Sequence, residues 1–136
     1  MGYRLLIGEK TIEREEYDGE LVEHIYAKEI ENDQAPDNGI GYKDNTRSPS
    51  YRGWWEFREA TGSHDLFDEL IKEHPGCVDL TRDHLETLVK IYNTYKKKNK
   101  QSTDEFVNYN INRLEWLVFW VEWALNNCKN PVFVNR

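Results

Sequence analysis

The residues best suited to recognition chemistry gather between Asn45 and Arg58, in the run N-T-R-S-P-S-Y-R-G-W-W-E-F-R. Arg47 and Arg52 carry planar guanidinium forks that match phosphate or carboxylate oxygens in pairs. Ser48, Ser50 and Tyr51 add hydroxyls, while Tyr51, Trp54 and Trp55 add rings that suit the face of a base or sugar. A helix opening at Ser48-Pro49 would also turn free N–H groups and its positive dipole end toward an anion. On that helix Tyr51, Trp54, Trp55 and Arg58 share one side. The other reading is that Trp54, Trp55 and Phe57 dock the helix on the core while Arg52 pairs with an acid. Arg113, far along the chain, is a further candidate for the anion.

Other constellations are weaker. His74, Cys77 and His84 stand as H-x2-C-x6-H, with His64 ten residues earlier. Zinc takes four protein ligands in a structural site and three plus water in a catalytic one. No second cysteine pair supplies them, and His74 suits a helix C-terminus in any case, so no metal site is predicted. Glu115 and Glu122 lie along one polar seam, where a raised pKa would make one an acid or base and the protein a small enzyme. As residues of a solvated face they have no such role. The chain has no Ser-His-Asp order, G-x-S-x-G, P-loop or G-x-G-x-x-G, and Gly39-Ile40-Gly41 does not open a helix. A non-enzyme without cofactor is the expectation.

The stretch Asn112–Leu125 must organise the elements that position these groups. Asn108, Asn112, Glu115, Glu122 and Asn126 follow one seam of a helix, and Leu114, Trp116, Leu117, Val118, Trp120, Val121, Trp123 and Leu125 fill the rest. So wide an apolar circumference demands cover from its own chain or from a second copy, which points to a homo-oligomer. Tyr3–Ile12 alternates as a strand, and Tyr17-Asp18-Gly19-Glu20 is a turn. Residues 21–31 fit either strand or helix, with the turn favouring strand. Asn32–Thr46, rich in Asn, Asp and Gly, is a long loop. Ser48 caps a helix that stops at Gly62; Asp65–Glu73 is a short second helix; Thr81 caps a third. Ser102-Thr103-Asp104-Glu105 is a capping box for the central helix. Pro131–Val134 returns as a strand beside Tyr3–Ile7. The fold class is therefore α+β: a small N-terminal antiparallel sheet or hairpin, then three to four helices around a long Trp-rich C-terminal helix. Within one domain, residues 1–31 form the acidic β-rich part, 32–47 the loop, 48–130 the helical body and 131–136 a tail or strand.

A chain of 136 residues with 13% aromatics can build a core although its mean hydropathy is −0.86. Two cysteines, Cys77 and Cys128, make no disulfide framework and suit a reducing compartment. The N-terminus lacks the layout of a signal peptide, and the apolar block 116–125 is too short to span a bilayer, so a cytoplasmic protein is expected. The net charge of −7 resides in residues 1–37, with eleven Asp/Glu against four Lys/Arg; the remainder is neutral. Such a chain is ill suited to general nucleic-acid binding, which rests on phosphate neutralisation.

The grouping of Ser48-Pro49-Ser50-Tyr51 with Trp54-Trp55, His74-Pro75-Gly76-Cys77 and the closing Arg113–Asn135 stretch resembles, in general character, the small acidic proteins of tailed bacteriophages and prophages. That resemblance implies a non-catalytic role against host defence: holding a nucleotide-derived signal, or masking a host protein. Local chemistry points the same way. It places a small nucleotide-like anion on Arg47, Ser48, Ser50, Tyr51, Arg52, Trp54, Trp55 and Arg113. The alternative is a protein-interaction module that uses the acidic N-terminal part against a basic host surface.

Overall fold

A computed structural model describes the whole chain, Met1–Arg136. Strand β1 (Leu5–Tyr17) turns at Asp18-Gly19, both at positive φ, into β2 (Glu20–Ala27), as an Asp-Gly hairpin requires. A short β3 (Thr46–Arg47) precedes α1 (Tyr51–Thr61) and α2 (His64–Leu70). Strand β4 (Gly76–Asp79), α3 (Arg82–Lys98), α4 (Glu105–Asn127) and β5 (Pro131–Asn135) complete the chain.

The sheet runs β2-β1-β5-β4, all antiparallel, and β3 pairs with the start of β1. β1 changes partners along its length. Leu5–Glu9 pair with β5, and Lys10–Tyr17 pair only with β2. Side chains alternate accordingly. Leu5, Ile7 and Phe133 face the helices and join Trp54, Phe57, Phe67, Leu88, Leu114, Trp116 and Trp120 in the main core. Leu6, Val132, Val134 and Ala27 form a second cluster on the opposite face. There the hairpin curls over β5 and β4, so the sheet is a half-barrel.

Helix ends follow their caps. Ser50, rather than Ser48, is the N-cap of α1; its Oγ accepts from the Gly53 N–H, and Gly62 closes the helix in the left-handed region. Thr81 caps α3, with His84 as the reciprocal partner of its capping box. Asp104 alone caps α4, by accepting from the Phe106 N–H, and the capping box predicted at 102–105 does not form.

The predicted fold class needs correction. α+β holds only broadly. The sheet is not a small N-terminal hairpin, because β5 from the C-terminus is its centre and β4 enters it from between helices. Nor is there a helical body arranged around a Trp-rich helix. The longest helix, Glu105–Asn127, carries its three tryptophans only in its second half, and Trp54 of α1 shares the core equally. The chain's own sheet, α1 and α3 cover much of the apolar circumference that pointed to a homo-oligomer, and Val118, Phe119, Trp123 and Leu125 stay partly exposed. No helix is long and apolar enough to cross a membrane.

Candidate functional site

Arg47 ends β3 opposite Leu5, and that register turns its side chain to the helix side of the sheet, under α4. It is 7% exposed. Nη2 donates to Asn112 Oδ1 at 3.0 Å, and the guanidinium lies 5.9 Å from the Trp116 ring. Nη1 is buried with no hydrogen-bond partner, and no carboxylate stands within ion-pair distance of Arg47. A buried cation normally has both. Burial first, then the nearby Arg113, pulls its pKa from 12.5 down to about 10, against a smaller opposite pull from Asp37.

Arg113 is next to Asn112 and one turn beyond Tyr109 on α4, so the three share a face. Its Nη1 donates to Asn110 Oδ1 at 3.3 Å, and its guanidinium lies 5.8 Å from the Phe57 ring. It has no ion pair either; burial lowers its pKa, and the neighbouring Glu56 carboxylate is held by Arg52 at 3.0 Å. Arg47 and Arg113 together line a cleft of about 170 Å3 with Ser48, Gly39, Ile40 and Tyr109. Two adjacent guanidinium groups without an acid between them are suited to an oxyanion.

The loop before β3 is tied down by short polar side chains, which explains its composition. Buried Asn38 donates to Asp44 Oδ1 and the Thr46 carbonyl, and accepts from the Ile40 and Tyr42 N–H groups. Asp37 Oδ1 accepts from the Gly39 and Gly41 N–H groups, both glycines at positive φ, and the Asp37 carbonyl accepts from Asn112 Nδ2. Gly39 also leaves room for the guanidinium, since a Cβ there would meet Arg47 Nη2 at 3.0 Å. Asn45, fully buried, stitches the loop to the sheet by donating to the Ile7 and Lys28 carbonyls and accepting from the Ile30 N–H.

The remaining predicted residues separate. Ser50 is occupied as a cap. Tyr51 packs edge-on against Tyr3, and its hydroxyl is 2.9 Å from His74 Nε2. Arg52 points to solvent beside Glu56. Trp54 is sealed among Phe57 and Phe67, whereas Trp55 is 55% exposed beside His64. Only Arg47, Ser48 and Arg113 of the eight meet in one cleft. Asn38, Gly39 and Tyr109 join them without having been singled out for binding, and Asn112 holds Arg47 from beside the cleft. His74 contacts Asn135, and His84 serves the α3 cap and Glu69, so the two do not meet at Cys77. Glu122 is exposed, and neither it nor Glu115 lines the arginine cleft. Burial, then Glu9, raises the Cys128 thiol to about 11.

Comparison with protein-family models, curated proteins and solved structures returns no match.

Proposed function

We propose that this protein is a non-enzymatic binding module, and that a small nucleotide-like anion seats its phosphoryl or carboxylate group between Arg47 and Arg113. One observation carries this reading: the Arg47 guanidinium is buried, keeps one nitrogen unpartnered and shares its cleft with Arg113, and neither arginine has an ion pair. The cleft volume of about 170 Å3 accommodates one such group rather than a polyphosphate chain. A wider recess of about 390 Å3 adjoins it, sharing Gly39 and Tyr109 and adding Asp37, Glu105, Asn108 and Asn112. The exposed Tyr109 ring offers a stacking face, and the two carboxylates and the amides suit sugar hydroxyls, so a nucleoside monophosphate matches both ends. Trp54, Tyr51, Ser50 and Arg52 take no part. A role against host defence is consistent with sequestering such a ligand.

The test is a thermal-shift and calorimetric titration with inorganic phosphate, ribose 5-phosphate and nucleoside monophosphates at low ionic strength. The expected result is a concentration-dependent rise in melting temperature, larger for the nucleotide than for phosphate, and absent in Arg113→Met. No rise with any of the three, or an equal rise in the variant, refutes the proposal.

A further inference from the structure

A second feature lies between the hairpin and β4. β2 hydrogen-bonds to β1 alone and β4 to β5 alone, so the half-barrel leaves an unpaired edge on each side of its opening. A groove of about 940 Å3 runs between them, with Glu13, Glu23 and His24 on the hairpin side and Glu73 on the other. Its one cation, Arg136, sits over the Tyr26 ring. From Ile12 to Ile25 the hairpin is exposed throughout; Leu21 is 67% accessible, and Glu16, Asp18, Glu20 and Glu73 have no ion-pair partner. A two-stranded ribbon of this kind is marginal in water until a further strand joins it.

A second copy of the chain is a poor third strand. Two-fold pairing of β2 with itself needs facing residues on the same side of the sheet, so pairing centred on this strand sets Glu23 against Glu23 or His24 against His24. Net negative charge along the edge repels a copy and attracts the opposite sign. We infer that the outer edge of β2 docks an extended, basic segment of a partner protein, which adds to the sheet as a strand in the groove facing β4. Main-chain hydrogen bonds hold that segment, and its Lys or Arg side chains, at alternate positions, meet Glu13, Glu15 and Glu20 on one face of the hairpin. Its apolar residues cover Ile12, Leu21 and Ile25. The inference is independent of the arginine cleft.

The test uses the full chain and a fluorescent ten-residue peptide of alternating Lys and Val. Controls are the Glu–Val counterpart and a Lys–Val peptide N-methylated at two consecutive central residues, which blocks both of its edges. Binding is read by anisotropy, and the amides of residues 20–26 by hydrogen exchange. The Lys–Val peptide should bind and protect those amides, the Glu–Val peptide should be at least about tenfold weaker, and the methylated one should fail. Glu15→Lys with Glu20→Lys should reverse the charge preference, because both positions are exposed and lie on the face opposite Leu21 and Ile25. Three outcomes overturn the inference. They are no binding, binding that survives methylation or leaves the β2 amides unprotected, and a peptide-free dimer in which those amides are already protected.

Discussion

Replacing Arg47 by methionine distinguishes a satisfied structural arginine from one held ready for an anion. In the folded chain its pKa is lowered to about 10, with burial the larger cause and Arg113 the smaller. Holding a buried guanidinium without a counter-ion costs on the order of 3 kcal/mol. Because the folded value is the lower one, the unfolded chain binds more protons above about pH 10, and stability rises with pH there. Below pH 10 both states are protonated and the penalty is constant. Methionine removes the charge and keeps an apolar stem near Trp116. It forfeits the hydrogen bond to Asn112, about 1.5–3 kcal/mol for a charged donor, and the cation–π contact, about 0.5–1 kcal/mol. The two sides nearly offset, so the variant should unfold within about 1 kcal/mol of the parent. Breaking a well-paired buried charge costs about 3–5 kcal/mol instead. Urea denaturation at pH 7 in phosphate-free buffer measures this. With a nucleoside monophosphate at about ten times its Kd the parent should gain about 1.4 kcal/mol and the variant nothing. A loss above about 3 kcal/mol without ligand, or a retained gain with it, would refute the reasoning.

Other substitutions probe the supports. Gly39→Ala combines a positive φ of 96° with a Cβ pressed on Arg47, and should cost about 1–3 kcal/mol and weaken the ligand-induced thermal shift. Asn45→Asp turns a carboxylate toward the Ile7 and Lys28 carbonyls and should cost about 3 kcal/mol or more at pH 7. The folded state would raise that carboxyl above its unfolded pKa, so denaturation at pH 4 should show a smaller loss than at pH 7. Arg52→Ala should leave both the melting temperature, within about 2 °C, and ligand binding unchanged, since its pair with Glu56 is exposed.

What the sequence reveals and what it hides differ residue by residue. Trp54 and Phe57 sit three apart on the buried side of α1, which helical periodicity does suggest; Trp55, placed beside Trp54 on one side by the same reading, turns outward instead, because adjacent helical residues point about 100° apart. Arg47 and Arg52 look alike in the sequence. They differ because a two-residue strand pairs with Leu5 and turns one of them inward, a register that nothing local announces. The seam through Asn112 reads as a solvated face, since periodicity shows where a helix is polar but not what covers it. Its cover is the 37–47 loop, joined through the carbonyl of Asp37 and the side chain of Arg47, some 65–75 residues away. β4 is four residues long and holds its place through β5 alone, too little pattern to mark a strand.

Asn112 offers the sharpest test of why the cleft stays uncompensated. Were Arg47 purely structural, one atom's change would satisfy it: Asn112→Asp puts a carboxylate 3.0 Å from Nη2 without altering shape. A charge-assisted bond replaces a neutral acceptor, for roughly 1–2 kcal/mol beyond the existing bond. Against this stands the lost donor to the Asp37 carbonyl, about 1 kcal/mol, with two oxygens now facing each other. The substitution should therefore hold or slightly raise the stability of the unliganded protein. The same carboxylate would repel any phosphate entering between Arg47 and Arg113, and the nucleotide-induced thermal shift should vanish. Stability and binding then move apart, as a site kept uncompensated for an anion requires. If Asn112→Asp instead lowers stability by more than about 2 kcal/mol and leaves the ligand response intact, Arg47 does not hold the anion.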